Sequence, residues 1–148
     1  MEDEDAVIFD LQFPVTAAVL WNAWTNPVTI LQWFGSDPAG EGCNATMDVR
    51  KGGNFSITFR DGDGTQHTCI GTYMYVDPLR KLHFSWQWKS EPGDRSFVTL
   101  LLRPAGDSTW MHFEHAGFGK ASAHNYATGW QSTFSKLEEL LAKTNKAD

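Results

Sequence analysis

Residues 122–143 read SAHNYATGWQSTFSKLEELLAK, and their spacing sets the architecture. Tyr126, Trp130, Phe134, Leu137 and Leu141 recur every three or four residues, flanked by Thr133 and Leu140. Gln131, Lys136, Glu138 and Glu139 fall on the opposite side. That pattern predicts one long amphipathic helix from about Ser122 to Lys143, with a single stripe buried against something flat.

The eighty residues before it have the period of strands. In 54–60, Phe55, Ile57 and Phe59 alternate with Asn54, Ser56, Thr58 and Arg60. In 80–88, Leu82, Phe84, Trp86 and Trp88 alternate with His83, Ser85 and Gln87. In 109–115, Met111, Phe113 and His115 share one face, and Trp110, His112 and Glu114 the other. Residues 43–49 form a weaker strand that ends at Lys51-Gly52-Gly53, and 67–76 and 96–103 complete six. Asp61-Gly-Asp-Gly64, Asp77-Pro78 and Pro104-Ala-Gly106 supply the turns of an antiparallel meander.

Further back, 7–13 alternates as a half-buried strand with Val7, Phe9, Leu11 and Phe13 inward. Thr16 caps a short helix, AAVLWNAW. Asn26-Pro27 caps a second, which carries Ile30, Leu31, Trp33 and Phe34 and stops at Gly35. The order is strand, two short helices, six strands, long helix. It predicts an α+β fold with the helix laid across a curved antiparallel sheet of about seven strands.

Composition bounds the rest. The chain has 148 residues, of which seven are Trp, ten Phe and three Tyr. That aromatic content excludes disorder, and the length suits a single domain over 1–148. No apolar run reaches the roughly 20 residues of a membrane span. Four of the negative charges behind the net −6 lie in Glu2-Asp3-Glu4-Asp5, read as a solvated, flexible leader over 1–5. The twelve cations are scattered, so neither nucleic acid nor an anionic membrane is an expected partner. The acidic N-terminus lacks the basic start of a secretory signal, and Cys43 and Cys69 read as reduced thiols in a cytoplasmic protein.

Taken together, several segments resemble the START-like superfamily, also called helix-grip or SRPBCC. They are Leu20-Trp21-Asn-Ala23-Trp24-Thr25-Asn-Pro27 followed by Trp33, Asp48-Val-Arg50-Lys-Gly52-Gly53-Asn-Phe55, and Gly71 through Asp77-Pro78 to Leu82. Thr109 to Glu114 with His115-Ala-Gly117-Phe118, and Gly129-Trp130, complete the set. Within the superfamily the chain resembles the activator of heat-shock-protein-90 ATPase homologues. The resemblance implies an apolar cavity between the long helix and the sheet, of the kind other members use for lipids, sterols or polyketides. It also implies two alternatives: a co-chaperone or other interaction module, and a small-molecule cyclase or hydrolase. The group's co-chaperone has a further N-terminal domain for which this chain has no room.

Candidate chemistry is sparse. His112 and Glu114 point to one face of their strand and His115 to the other, so the three cannot share a metal. Asp61-Gly-Asp63-Gly64 lacks the later ligands of a calcium loop, and Cys69 has no base beside it. No metal and no cofactor are expected. His115 is either a satisfied core histidine or a ligand contact and general base. The leading expectation is a small apolar or aromatic ligand in a cavity lined by Phe55, Phe59, Tyr73, Trp86, Trp88, Phe113, His115, Tyr126 and Trp130. Trp21, Trp24 and Trp33 are assigned to pinning the helical pair. Trp110 faces away, as a surface or dimer contact of a monomer or homodimer.

Overall fold

The computed structural model describes residues 6–91, 95–117 and 120–146. The acidic leader over 1–5 lies outside them. Strand β1 (Val7–Phe13) is followed by α1 (Ala17–Thr25) and α2 (Pro27–Ile30). Then come β2 (Glu41–Met47), β3 (Asn54–Arg60), β4 (Gln66–Asp77), β5 (Lys81–Trp88), β6 (Arg95–Ala105) and β7 (Ser108–Ala116). Helix α3 (Lys120–Lys146) closes the chain. The seven strands form one curved antiparallel sheet in the order β1-β7-β6-β5-β4-β3-β2. No helix among the described residues is long and apolar enough to cross a membrane.

Local chemistry sets most boundaries. Thr16 Oγ1 accepts the Val19 amide at the start of α1. Asn26 Oδ1 accepts the amides of Val28 and Thr29, which opens α2 with Pro27 at its first position. Four expected boundaries need correction. Helix α2 stops at Ile30, not at Gly35, because the turns that follow are mixed: Gln32 donates to Thr29 O and Trp33 to Ile30 O across three residues, and only Phe34 keeps the four-residue bond, also to Ile30 O. Strand β2 covers 41–47 rather than 43–49, because Asp48 begins its own turn, with Arg50 N donating to Asp48 O. Strand β6 runs through Pro104, so the turn is the two-residue loop Gly106-Asp107, with Gly106 at φ +68°. Pro104 is tolerated because β5 pairs with β6 only as far as Leu101, leaving no partner for the missing donor. Helix α3 exceeds the predicted span at both ends.

The inner face of the sheet and the stripe of α3 form a continuous core. Leu82, Val98, Leu100, Met111 and Phe113 share one buried cluster with Trp130, Phe134, Leu137 and Leu141, and Phe113 packs directly on Trp130 and Phe134. The helical pair closes one side of this sandwich: Trp33 is fully buried, and its Nε1–H donates to Ala23 O at 3.0 Å. Trp24 is buried with it, 4.9 Å ring to ring, while Trp21 is only partly covered. Trp110, 40% exposed, points away from the helix.

Candidate functional site

On α3, Tyr126, Gly129, Trp130 and Thr133 lie three and four residues apart and share one face. On β5, Trp86 and Trp88 are two residues apart and point to the same side of the sheet. Where these faces meet, the rings touch, with Trp86 5.1 Å from Trp130, but they leave the space beside Gly129 unfilled. A pocket of about 290 Å³ remains, completed by Phe59 of β3, Glu91 after β5 and the 34–36 segment after α2. Two small residues keep it open. Gly129 gives the helix no side chain there, and the atom nearest to an added Cβ would be Ser36 Cβ at 3.6 Å. Gly35 turns the opposite wall at φ +115°, a conformation that excludes most side chains.

The wall formed by 34–37 is tethered. Ser132 Oγ donates to Ser36 O at 2.6 Å, and Lys136 Nζ donates to Asp37 O at 3.1 Å. The Asp37 carboxylate accepts the amides of Gly62 and Ala39, which hold its pKa below the ordinary value. The loop is thus fixed to β3–β4 on one side and to α3 on the other.

The lining is mainly aromatic. Trp86 and Trp88 meet edge to face at 5.4 Å and 80°, Trp86 and Trp130 lie 5.1 Å apart, and Phe34 and Trp86 5.8 Å. The Trp88 indole Nε1–H donates to the Tyr126 hydroxyl at 3.1 Å. Trp86 Nε1, buried and without a hydrogen-bond partner, lies near enough to that hydroxyl to favour its ionised form. Burial outweighs both indoles, and the Tyr126 pKa is raised.

His115 sits behind this lining, fully buried. Trp130 Nε1–H donates to its Nδ1 at 3.0 Å, so the ring proton is on Nε2, which donates to Ser96 Oγ at 2.7 Å. Burial pushes its pKa down to about 3, so the ring is neutral at physiological pH. Both nitrogens are engaged, and its role here is to fix the Trp130 indole from below. Burial also raises the Cys69 thiol and the Tyr73 phenol well above their usual values. Among the described residues, no group of three or more His, Cys, Asp or Glu converges as a metal site.

Of the nine residues named from sequence, Phe59, Trp86, Trp88, Tyr126 and Trp130 line the pocket. Phe55 and Tyr73 flank a separate void of only about 10 Å³ under Trp24, which is closed core. Phe113 and His115 lie behind Trp130, whose ring is 4.5 Å from Phe113. Phe34, Gly35, Ser36, Glu91, Gly129 and Thr133 complete the lining without having been assigned to it. Only Gly129 had a legible signal, as a glycine on the apolar stripe of a helix.

The sequence profile of the family described as Activator of Hsp90 ATPase homolog 1-like protein matches residues 14–142. The chain belongs to that family. Its fold is shared with protein NE0264 from Nitrosomonas europaea, at TM-score 0.83 and 20% identity over the whole of both chains. The Activator of Hsp90 ATPase homolog 1-like chain is also similar to the AHSA1 (SPO3351) protein from Silicibacter pomeroyi: TM-score 0.81, 21% identity, covering 94% of this chain and 99% of that one. CalU16 from Micromonospora echinospora aligns at TM-score 0.71 and 25% identity over 96% of this chain and 79% of its own. No curated protein matches the sequence. At such identities the likeness carries the START-like architecture.

Proposed function

We propose that this domain binds a small apolar or aromatic molecule in the pocket between α3 and β5. The observation that carries the reading is the opening itself: about 290 Å³ lined by six aromatic rings, left unfilled at Gly129 and bounded by a tethered loop. Desolvation of the ligand would supply most of the affinity, at about 25 cal/mol per Å² of apolar area buried. The pocket rim offers Tyr126, Ser36 and Thr133 for orientation. No step of acid–base catalysis is assigned to His115, whose two nitrogens are committed to Trp130 and Ser96. Titration with neutral aromatic probes, followed by tryptophan fluorescence, tests this. Saturable quenching that disappears in Trp88→Ala is expected, and an unchanged signal with every probe would contradict it.

A second reading draws on the outer face of the sheet. Trp110 and Leu101, each 40% exposed, line one concavity with Arg103 and Lys81. Such a patch suits docking on a chaperone or another protein. Stimulation of a chaperone ATPase that is lost in Trp110→Ser would support this reading. An unchanged ATPase rate would remove it.

A further inference from the structure

The lining described above has a charge character as well as an apolar one. Among the described residues that line the pocket, Glu91 is the single charged side chain, while Lys136, His67 and His115 stand behind the wall and the rings. Its carboxylate lies near enough to Tyr126 to oppose ionisation of that phenol. The rings stand at steep angles to one another: Trp86 makes 80° with Trp88, 82° with Tyr126 and 57° with Trp130. Phe59 meets Trp88 at 60°. The faces of the lining rings therefore lie in several different orientations. Those faces carry the negative side of the aromatic quadrupole, which attracts a cation within about 6 Å and does so more strongly when water is excluded. An anion would be opposed by both the rings and Glu91, and a hydrocarbon would use the apolar surface of the rings but neither their quadrupole nor Glu91.

We propose that the pocket selects a small organic ammonium ion, its alkylated nitrogen held against the pocket side of Trp86, Trp88 and Tyr126 with Glu91 at the mouth. This rests on the pocket being a binding site, and it adds the charge of the occupant. Methylated ammonium suits the site better than a bare one, since its methyl groups share the apolar walls and its hydration is weaker. The volume of about 290 Å³ is at the lower edge of the range for ligand pockets, about 300–1,000 Å³, and favours a compact molecule over a long acyl chain.

The test is a pair of isosteres that differ in charge alone, phenyltrimethylammonium and tert-butylbenzene. Both are titrated into the full chain, with the indole N–H resonances and fluorescence as readouts. The cation is expected to bind roughly threefold or more tightly than the hydrocarbon, against its larger dehydration cost. Glu91→Gln should weaken the cation about threefold and leave tert-butylbenzene unchanged, with an unaltered fold because Glu91 is exposed. Tighter binding of tert-butylbenzene would overturn the ammonium assignment while leaving the pocket reading intact. Equal loss of both ligands in Glu91→Gln would do the same. Failure of both probes to bind would remove the pocket reading as well. Phosphatidylcholine vesicles form a parallel arm: Glu91-dependent cosedimentation identifies a lipid headgroup as the source of the ammonium, and binding of the free probe alone identifies a soluble amine.

Discussion

The interface between α3 and the sheet has two ends made from the same kinds of ring, and only one of them is closed. At the closed end, Trp24 of α1 enters between the layers. It lies 6.1 Å from Phe113, 6.2 Å from Phe134 and 6.4 Å from Trp130, with Trp33 behind it. Phe9 of β1 adds a further edge-to-face contact to Phe134 at 5.3 Å. At the other end, Phe34 reaches Trp86 at 5.8 Å, but Trp88 and Tyr126 have no such wedge opposite them; Gly35, Ser36 and Gly129 occupy that place. Aromatic content thus produces a dense core where a third layer brings its own ring. It produces a pocket where the facing positions carry almost no side chain.

The sharpest way to break this comparison is to truncate one ring at each end. Phe113→Ala should cost about 3–5 kcal/mol in urea denaturation, since it empties a closed core. Trp88→Ala should cost about 1 kcal/mol, its ring being only partly covered, yet abolish ligand quenching. Equal destabilisation by the two would mean that both ends are core.

The next effect is a pH dependence that belongs to the junction of the two ends. The folded His115 has a pKa near 3 because of burial, whereas the unfolded chain takes up that proton near the ordinary value of about 6.5. Below about pH 6.5 the unfolded state binds more protons, so stability falls as pH falls, by about 1.4 kcal/mol per pH unit, until the folded pKa is reached. His83, also lowered by partial burial, adds a smaller contribution of the same sign. Denaturation midpoints at pH 7 and pH 5 should show the loss in the native chain. His115→Gln, which keeps a donor and an acceptor in place, should remove most of it.

Smaller effects separate the walls of the pocket from its lining. Tyr126→Phe removes the acceptor for Trp88 Nε1–H and should cost about 1 kcal/mol, with weaker binding. Gly129→Ala meets only an ordinary contact with Ser36 and gains helix propensity, so it should stabilise by up to about 1 kcal/mol. It also narrows the pocket. A variant that is more stable and binds less tightly would mark Gly129 as a residue of function rather than of packing.

How much of this was legible in the sequence follows from the range of each signal. Val7–Phe13, the caps at Thr16 and Asn26 and the stripe of α3 were readable because alternation, capping chemistry and helical period are local. The end of α2 at Ile30 was not, because the tighter turns at Gln32 and Trp33 carry no capping residue, and Gly35, read as the stop, lies beyond them. The site was half legible for a related reason. Alternation told which side of the sheet Phe55, Phe113 and His115 face, and all three are buried. It could not tell their position along α3, which depends on strand order and on a register shift in β4 between Tyr73 and Tyr75. The pocket itself is defined by small residues, Gly35, Ser36 and Gly129, which a search for chemistry-bearing side chains passes over.

The most direct measurement is native mass spectrometry of the chain purified from its own host, beside a Gly129→Phe variant that fills the pocket. The native chain should carry a small-molecule adduct that is released on unfolding, and the variant should be folded and bare. An adduct that persists in Gly129→Phe would contradict this account, as would a native chain that is bare and that no aromatic probe enters.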